Sequence, residues 1–244
     1  MNIRLISVNM EEEKHITRLL SFFEAEKPDC ICFQEILESR FEAWKHEFRW
    51  SGVYAKMLPC HGEYIGVGIL SRIPVHEMGT LCFHDGDRKH RDQSGHAQEV
   101  HDRVLPYVTY TTAGDSGQEG NEAQKLLTVF STHLPRNENG SVISDFQKTV
   151  SASLKKTLAS RKNFILCGDI NAPRGTEVFD SFSEIYKDCI PEHYKTSIDA
   201  NLHRAGALPY MVDGLFNNSF AEVSDVSLCA GVSDHMAVCA TIRI

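Results

Sequence analysis

The stretch "FILCGDINAPRG", Phe164 to Gly175, changes character at Gly168. Phe164 to Cys167 form an apolar run that reads as a buried strand. Asp169 and Asn171 follow, and then Pro173 and Gly175 halt regular structure. A polar turn is one reading. A site on the rim of a sheet is the other, because a carboxylate and a carboxamide now stand where a buried strand surfaces. Residues i and i+2 of an extended chain project to the same side, so the spacing predicts Asp169 and Asn171 facing one way. Gly168 leaves room there for a close approach of another chain segment.

Working outward, other strands end in the same manner. "NIRLISVN" (2–9) alternates like a strand and stops at Asn9. "CICFQE" (30–35) ends at Glu35. "LLTVFS" leads into His133. "MVDGLF" holds Asp213 within an apolar run, and "SDH" (233–235) opens the last strand with Asp234 and His235. One such residue alone is usually a cap or a solvated end. Together they predict a shared rim of loops carried by a rigid sheet.

Between the strands, residues 12–25 place Ile16, Leu19, Leu20 and Phe23 at helical spacing, and 37–48 place Phe41, Trp44 and Phe48 on one face. Residues 142–159 predict a third helix, capped by Ser141. Further strands are expected at 52–58, 65–72, 73–83, 103–112, 125–134, 221–229 and 235–244, with a turn-rich segment at 176–209. Neither an internal repeat nor a linker interrupts this order. Many strands with about three clear helices predict one domain over residues 1–244, two packed sheets flanked by helices.

The totals fit that picture. The chain has 244 residues, 42% hydrophobic and 24% charged, enough for a sizeable core. Twenty-five basic against 33 acidic residues give a net charge of −8, which excludes a global basic field for nucleic acid or anionic membrane. The opening "MNIRLISVNMEEEKH" predicts no secretory leader, and no apolar stretch approaches the roughly 20 residues of a membrane-spanning helix. Eight scattered cysteines, mostly within apolar runs, predict a reducing, cytoplasmic compartment. A monomer without an obligate protein partner is expected.

The chemistry of the rim residues is coherent. Glu35 and Asp234 are hard oxygen donors suited to Mg²⁺ or Mn²⁺, which keep waters and take one or two carboxylates. Asn9 and Asn171 can hold a ligand without adding negative charge. His133 and His235 offer imidazoles for acid–base work or for a developing oxyanion, and Asp213 can orient one of them. Together these parts describe metal-assisted phosphoester hydrolysis.

The ordered segments "SVNM", "CFQEI", "YIGVGILSRIP", "FSTHLP", "LCGDINAPRG", "MVDGLF" and "VSDHMAV" span residues 7–238 and resemble the endonuclease/exonuclease/phosphatase superfamily. The resemblance implies a DNase I-like four-layer αββα sandwich of two mostly antiparallel sheets with the site at one end. It implies Glu35 as principal Mg²⁺ ligand, with Asn9 beside it and Asp234 as second metal-associated acid. Asp169 looks like the residue that aligns or deprotonates the nucleophilic water, and Asn171 like a phosphate contact. His235, paired with Asp213, resembles the phosphate-binding histidine, and His133 a second histidine found in several branches. Tyr64 stands where the AP-endonuclease branch carries an active-site tyrosine, although "STHLP" is not that branch's pattern.

Other candidates lie around this set. Arg103, Arg136 and His203 are substrate candidates, as are Asp199 and Arg204. Glu11 and Glu12 read best as the solvated first turn of a helix. Residues 84–101 carry His84, His90, His96 and His101 with several acids; they predict a long exposed loop, for substrate gating or a metal, and their irregular spacing is weak for zinc. The substrate phosphate is left open between nucleic acid, phospholipid headgroup and small molecule. Two alternatives stand beside the phosphoesterase reading: a nuclease acting on DNA, and a phosphate-binding module on the same fold without catalysis.

Overall fold

In the computed structural model, residues 1–84, 103–111, 125–137 and 142–244 are described. The first half runs β1 (Asn2–Asn9), α1 (Ile16–Glu26), β2 (Cys30–Leu37), α2 (Glu38–Phe48), β3 (Ser51–Cys60), β4 (Glu63–Ser71) and β5 (Glu77–His84). The second runs β6 (Arg103–Thr111), β7 (Leu126–His133), α3 (Asp145–Ala159), β8 (Phe164–Asp169), α4 (Glu177–Ser183), β9 (Lys187–Asp188), β10 (Asp213–Asn218), β11 (Glu222–Cys229) and β12 (Ala237–Arg243). Two six-stranded sheets result, ordered β11-β12-β1-β2-β4-β3 and β5-β6-β7-β8-β10-β9.

Each sheet is antiparallel except for one pair, β1 with β2 in the first and β7 with β8 in the second. Parallel neighbours need a crossover, and α1 and α3 supply it. The αββα expectation therefore holds, with helices on both outer faces.

The pleat sorts the side chains. Ile3 and Leu5 of β1, Cys30 and Cys32 of β2, Val129 of β7, and Ile165 and Cys167 of β8 meet between the sheets. The intervening residues face the helices: Ile6, Val8, Ile31 and Phe33 pack on Leu19, Phe23, Phe41 and Trp44. On the other side, Phe130, Phe164 and Leu166 pack on Val150, Leu154, Phe179 and Phe182. Fully burying one such large side chain contributes about 1.5–3 kcal/mol, so this alternation fixes the register strongly.

Several boundaries differ from the sequence reading. The first helix starts at Ile16, four residues later than the spacing predicts. Glu11 and Glu12 have φ of 45° and 63°, a left-handed backbone that no α-helical turn accepts. They belong to a tight loop in which the Met10 N–H donates to the Gln34 carbonyl and the Glu12 N–H to the Glu35 carbonyl. The cap of α3 is Ser144, which accepts from the Gln147 N–H while the Gln147 side chain accepts from the Ser144 N–H. Ser141 lies outside the described residues. The turn-rich segment 176–209 holds a short helix, α4, with Val178, Phe179 and Phe182 inward. The polar segment at 84–101, past His84 itself, is also outside the described residues. Cys30, Cys32, Cys60, Cys167, Cys189, Cys229 and Cys239 are free thiols. Among the described residues no helix is long and apolar enough to cross a membrane.

Candidate functional site

The inter-sheet face that is apolar through most of its height becomes polar at one end. Continuing the pleat past Leu5 gives Ser7 and Asn9; past Cys32, Gln34; past Val129, Ser131 and His133; past Cys167, Asp169. Ser7, Asn9, Gln34, Ser131, Asp169 and Asp213 are all buried. Two hydrogen bonds cross between the sheets here: Gln34 Nε2 donates to Ser131 Oγ at 3.0 Å, and Asn9 Nδ2 to Asp169 Oδ2 at 3.3 Å. The site is thus the polar end layer of the core itself.

Register aligns its members. His133 pairs with Asp169 across β7 and β8, and Asp213 with Asp169 across β10 and β8. Gly168 makes this fit possible, since its φ is +132° and a Cβ would stand 2.0 Å from the Thr132 carbonyl oxygen. Glu35 departs from the pattern. It sits at a register shift between Phe33 and Ile36 with φ +53°, so the bulge re-aims its carboxylate. That carboxylate is 33% exposed and accepts no hydrogen bond among the described residues.

The imidazole of His133 lies between the two acids, its Nε2 3.6 Å from Glu35 Oε1 and 3.6 Å from Asp169 Oδ2. Burial, aided by the positive charges of Arg103 and His235, lowers the His133 pKa to about 3. These are contacts of a neutral ring, not ion pairs. Across the site, His235 Nδ1 and Asp213 Oδ2 are 2.8 Å apart. Burial lowers the His235 pKa, but Asp213, with Asp169 and Asp234 behind it, raises it more, to about 10. Asp169 is pushed up to about 7, by burial first and by Asp213 and Glu35 next, against the pull of His235. A histidine pushed towards its neutral form, a histidine pushed towards its charged form and a carboxyl group pushed towards protonation therefore share a buried space.

Asp213 is held from behind, where Ser197 Oγ accepts from the Val212 and Asp213 N–H groups at 3.1 Å each. The pairing of Asp169 and Asn171 is not the extended one that the spacing predicts. The strand ends at Asp169 and Asn171 has φ +52°, so the gap closes as a turn in which the Asn171 N–H donates to Asp169 Oδ1 at 2.7 Å. Asn171 Nδ2 donates to the Leu134 carbonyl at 2.9 Å.

A cleft of about 480 Å³ opens over this layer, lined by Asn9, Glu35, Asp169, Asn171, Asp234 and His235. Its rim carries Glu11, Lys14, Arg136, His203 and Arg204. Burial, with Glu11 and Glu35 adding to it, raises the Asp234 pKa although His235 opposes. Arg103 opens β6 partly buried; its Nε has no hydrogen-bond partner among the described residues, and burial lowers its pKa to about 10.

Two candidates fall outside this arrangement. Tyr64 is 40% exposed, lies under Lys56 Nζ at 4.8 Å, and lines no part of the cleft. Asp199 is buried and its oxygens accept backbone N–H groups of Asn201, Leu202 and Gly231, so it shapes the loop instead of facing substrate. Sequence reasoning missed Ser197 and Ser131. The parity of β7 could have found Ser131, whereas nothing local marks Ser197.

One ligand atom from each of Asp169, Asp213 and His235 also lies within 4.8 Å of the others. The His235–Asp213 hydrogen bond already occupies that set. Glu35, one-third exposed and accepting no hydrogen bond among the described residues, shares an acid-lined cleft with Asp234 and Glu11, which suits a hard, partly hydrated cation better.

Residues 2–235 match the sequence profile of the Endonuclease/Exonuclease/phosphatase family. A search of curated proteins finds no match. Among solved structures, the chain resembles the endonuclease/exonuclease/phosphatase from Bacteroides vulgatus, with TM-score 0.69, 14% identity, and coverage of 100% of this chain and 99% of that one. It resembles the human Nocturnin catalytic domain with bound sulfate anion, with TM-score 0.65, 15% identity, and coverage of 99% and 93%. It also resembles D. rerio TDP2 complexed with single-strand DNA product, with TM-score 0.63, 18% identity, and coverage of 100% and 99%. At these identities the likeness concerns the fold.

Proposed function

The chain belongs to the endonuclease/exonuclease/phosphatase family of phosphoester hydrolases, and from that premise we propose that it hydrolyses a phosphodiester or phosphomonoester by in-line attack of a water aligned by Asp169, with Mg²⁺ or Mn²⁺ as cofactor. The observation that carries the reading is the buried meeting of Asp169, His133 and the His235–Asp213 pair, of which Asp169 and His235 line the cleft.

Asp169, with a pKa near 7, suits a base that accepts a proton from water. Asn9 and the Asn171 N–H each bond one of its oxygens, which fixes the direction of the carboxylate. The His235 imidazolium, anchored at Nδ1 by Asp213, can donate from Nε2 to a phosphate oxygen, where the loss of solvent strengthens the bond. His133 turns Nε2 towards two carboxylates, at 3.6 Å from each. Arg103 supplies positive charge close to His133, and Arg136, His203 and Arg204 line the rim where the rest of a substrate would lie. Asn171 keeps the water-directing turn closed, and a phosphate contact would use its second amide hydrogen.

An acid-lined cleft repels phosphate unless a cation intervenes. Glu35 and Asp234 would hold that cation with Asn9 in support, and the bound ion would supply Lewis acidity at the phosphate. We take residues 1–244 as one domain, since the inter-sheet core draws on β1 and β12 alike. The free thiols support a reducing, cytoplasmic setting.

The test is cleavage of bis-p-nitrophenyl phosphate, an abasic duplex, RNA and inositol phosphates with Mg²⁺ or Mn²⁺, comparing the wild type with Glu35→Gln and His235→Ala. Loss of turnover in both variants is expected. Tight binding without turnover of any substrate, or turnover unchanged in His235→Ala, would overturn the reading.

A further inference from the structure

A second cluster of metal-ligating groups adjoins the catalytic cleft, sharing Glu12 with its lining and adding two residues of the β3–β4 hairpin. The hairpin between β3 and β4 turns through His61 and Gly62, with φ of +49° and +88°. Two positive φ angles in succession are the mark of a tight hairpin turn, and they hold Cys60 and His61 in fixed relation at its tip. Facing them is Glu12, in the left-handed loop that follows β1. That loop is tied down by the Glu11 N–H donating to Asn9 Oδ1 at 3.1 Å and the Glu12 N–H donating to the Glu35 carbonyl at 3.1 Å. Two constrained backbones thus bring a carboxylate, a thiol and an imidazole together. One ligand atom of each of Glu12, Cys60 and His61 lies within 4.8 Å of the others, and His61 Nε2 is 3.9 Å from Glu12 Oε2. A hollow of about 230 Å³ adjoins them, with Glu12, Cys60, Glu35 and His133 all on its wall.

The donor set differs in kind from that of the catalytic cleft. Carboxylates and amides there suit hard Mg²⁺ or Mn²⁺. Sulfur, nitrogen and oxygen in equal number suit a borderline-soft ion, and three protein ligands with an open fourth position are a common zinc arrangement.

We propose that Glu12, Cys60 and His61 form a binding site for Zn²⁺, separate from the catalytic ion. On binding, the Cys60 S–H bond breaks, a Zn–S bond forms, and the proton leaves to solvent. The ion clips the hairpin tip to the loop whose Glu12 N–H holds the Glu35 carbonyl, so its occupancy reaches the wall of the cleft through one hydrogen bond.

The experiment titrates Co²⁺, and then competing Zn²⁺, into the full chain in weak buffer. The wild type and Glu35→Gln should each take up one equivalent with thiolate-to-cobalt charge-transfer absorption in the near ultraviolet and release of a proton. Cys60→Ser should lose that absorption. His61→Asn removes the imidazole while keeping a residue that tolerates positive φ, and it should weaken Zn²⁺ binding by about 10–100-fold. Circular dichroism verifies that both variants fold. Absorption that is absent from the folded wild type, or that persists in Cys60→Ser, overturns the proposal. Loss of the absorption in Glu35→Gln would assign the metal to the catalytic cleft and overturn it equally.

Discussion

The crossovers β1-α1-β2 and β7-α3-β8 share a topology and end in different chemistry. Each runs strand, helix, parallel strand near the middle of its sheet, and each second strand carries a carboxylate, Glu35 within β2 and Asp169 at the end of β8. In the second unit the acid stays in register: Asp169 continues the inward face of β8, is buried, and is bonded by Asn9 and Asn171. In the first unit the inward position is taken by Gln34, and a bulge turns the next residue, Glu35, towards the cleft, where it keeps access to water. In the proposed reaction the same functional group serves as a proton acceptor in one place and a cation ligand in the other. One residue of register decides which, because it decides how far the carboxylate is dehydrated.

The contrast breaks most sharply under Asp169→Asn. This change keeps the size of the side chain and the turn to Asn171, but removes the proton acceptor. Turnover of bis-p-nitrophenyl phosphate should fall roughly 10²–10⁴-fold and should not recover at any concentration of Mg²⁺. Glu35→Gln should behave differently. The Mg²⁺ concentration giving half-maximal rate should rise about 10–100-fold, with much of the loss recovered at saturation. If added metal rescued Asp169→Asn as well as Glu35→Gln, the two acids would share one role and the comparison would fail.

Gly168→Ala tests the register on which Asp169 depends. The added Cβ meets the Thr132 carbonyl at 2.0 Å in a backbone conformation that L side chains rarely adopt. We expect destabilisation of more than about 1–3 kcal/mol, read as a lower urea midpoint, because strain and a backbone clash act together. Activity per folded molecule should also fall, since β7 and β8 carry His133 and Asp169 on adjacent positions. An unchanged midpoint would mean that the two strands can separate without cost.

The sandwich was legible because alternation is a property of neighbouring residues. Ile3 and Leu5 against Ile6 and Val8 state the two faces of β1 before any partner is known. The members of the site were legible as polar residues interrupting apolar strands. Their relations were less so. Asp169 and Asn171 read as two groups on one extended edge, whereas Asn171 takes a left-handed backbone and bonds Asp169 instead; the Asn171 amide is claimed by the carbonyl of Leu134, just past the end of β7. The helix start at Ile16 was misread because acids suit a first turn equally well. The Glu11 and Glu12 backbone is set by Gln34 and Glu35, distant in sequence. Ser197 had no local signal, since its role is to accept two N–H groups brought to it by the chain after Tyr210.

The helices of the two crossovers sharpen the comparison at its smallest scale. The N-cap of α1, His15, makes no side-chain capping bond, whereas α3 has a complete capping box of Ser144 and Gln147. Gln147 does a second thing: its Nε2 donates to the Asn171 carbonyl at 2.8 Å, so the start of α3 is tied to the turn that directs Asp169. Ser144→Ala removes the cap alone and should cost about 1 kcal/mol of stability with kcat unchanged. Gln147→Ala removes the cap and the tether, and should lower kcat as well as the urea midpoint. Equal kcat in the two variants would show that the Asn171 turn stands without α3. The second crossover would then differ from the first in the burial of its acid and not in any support from its helix.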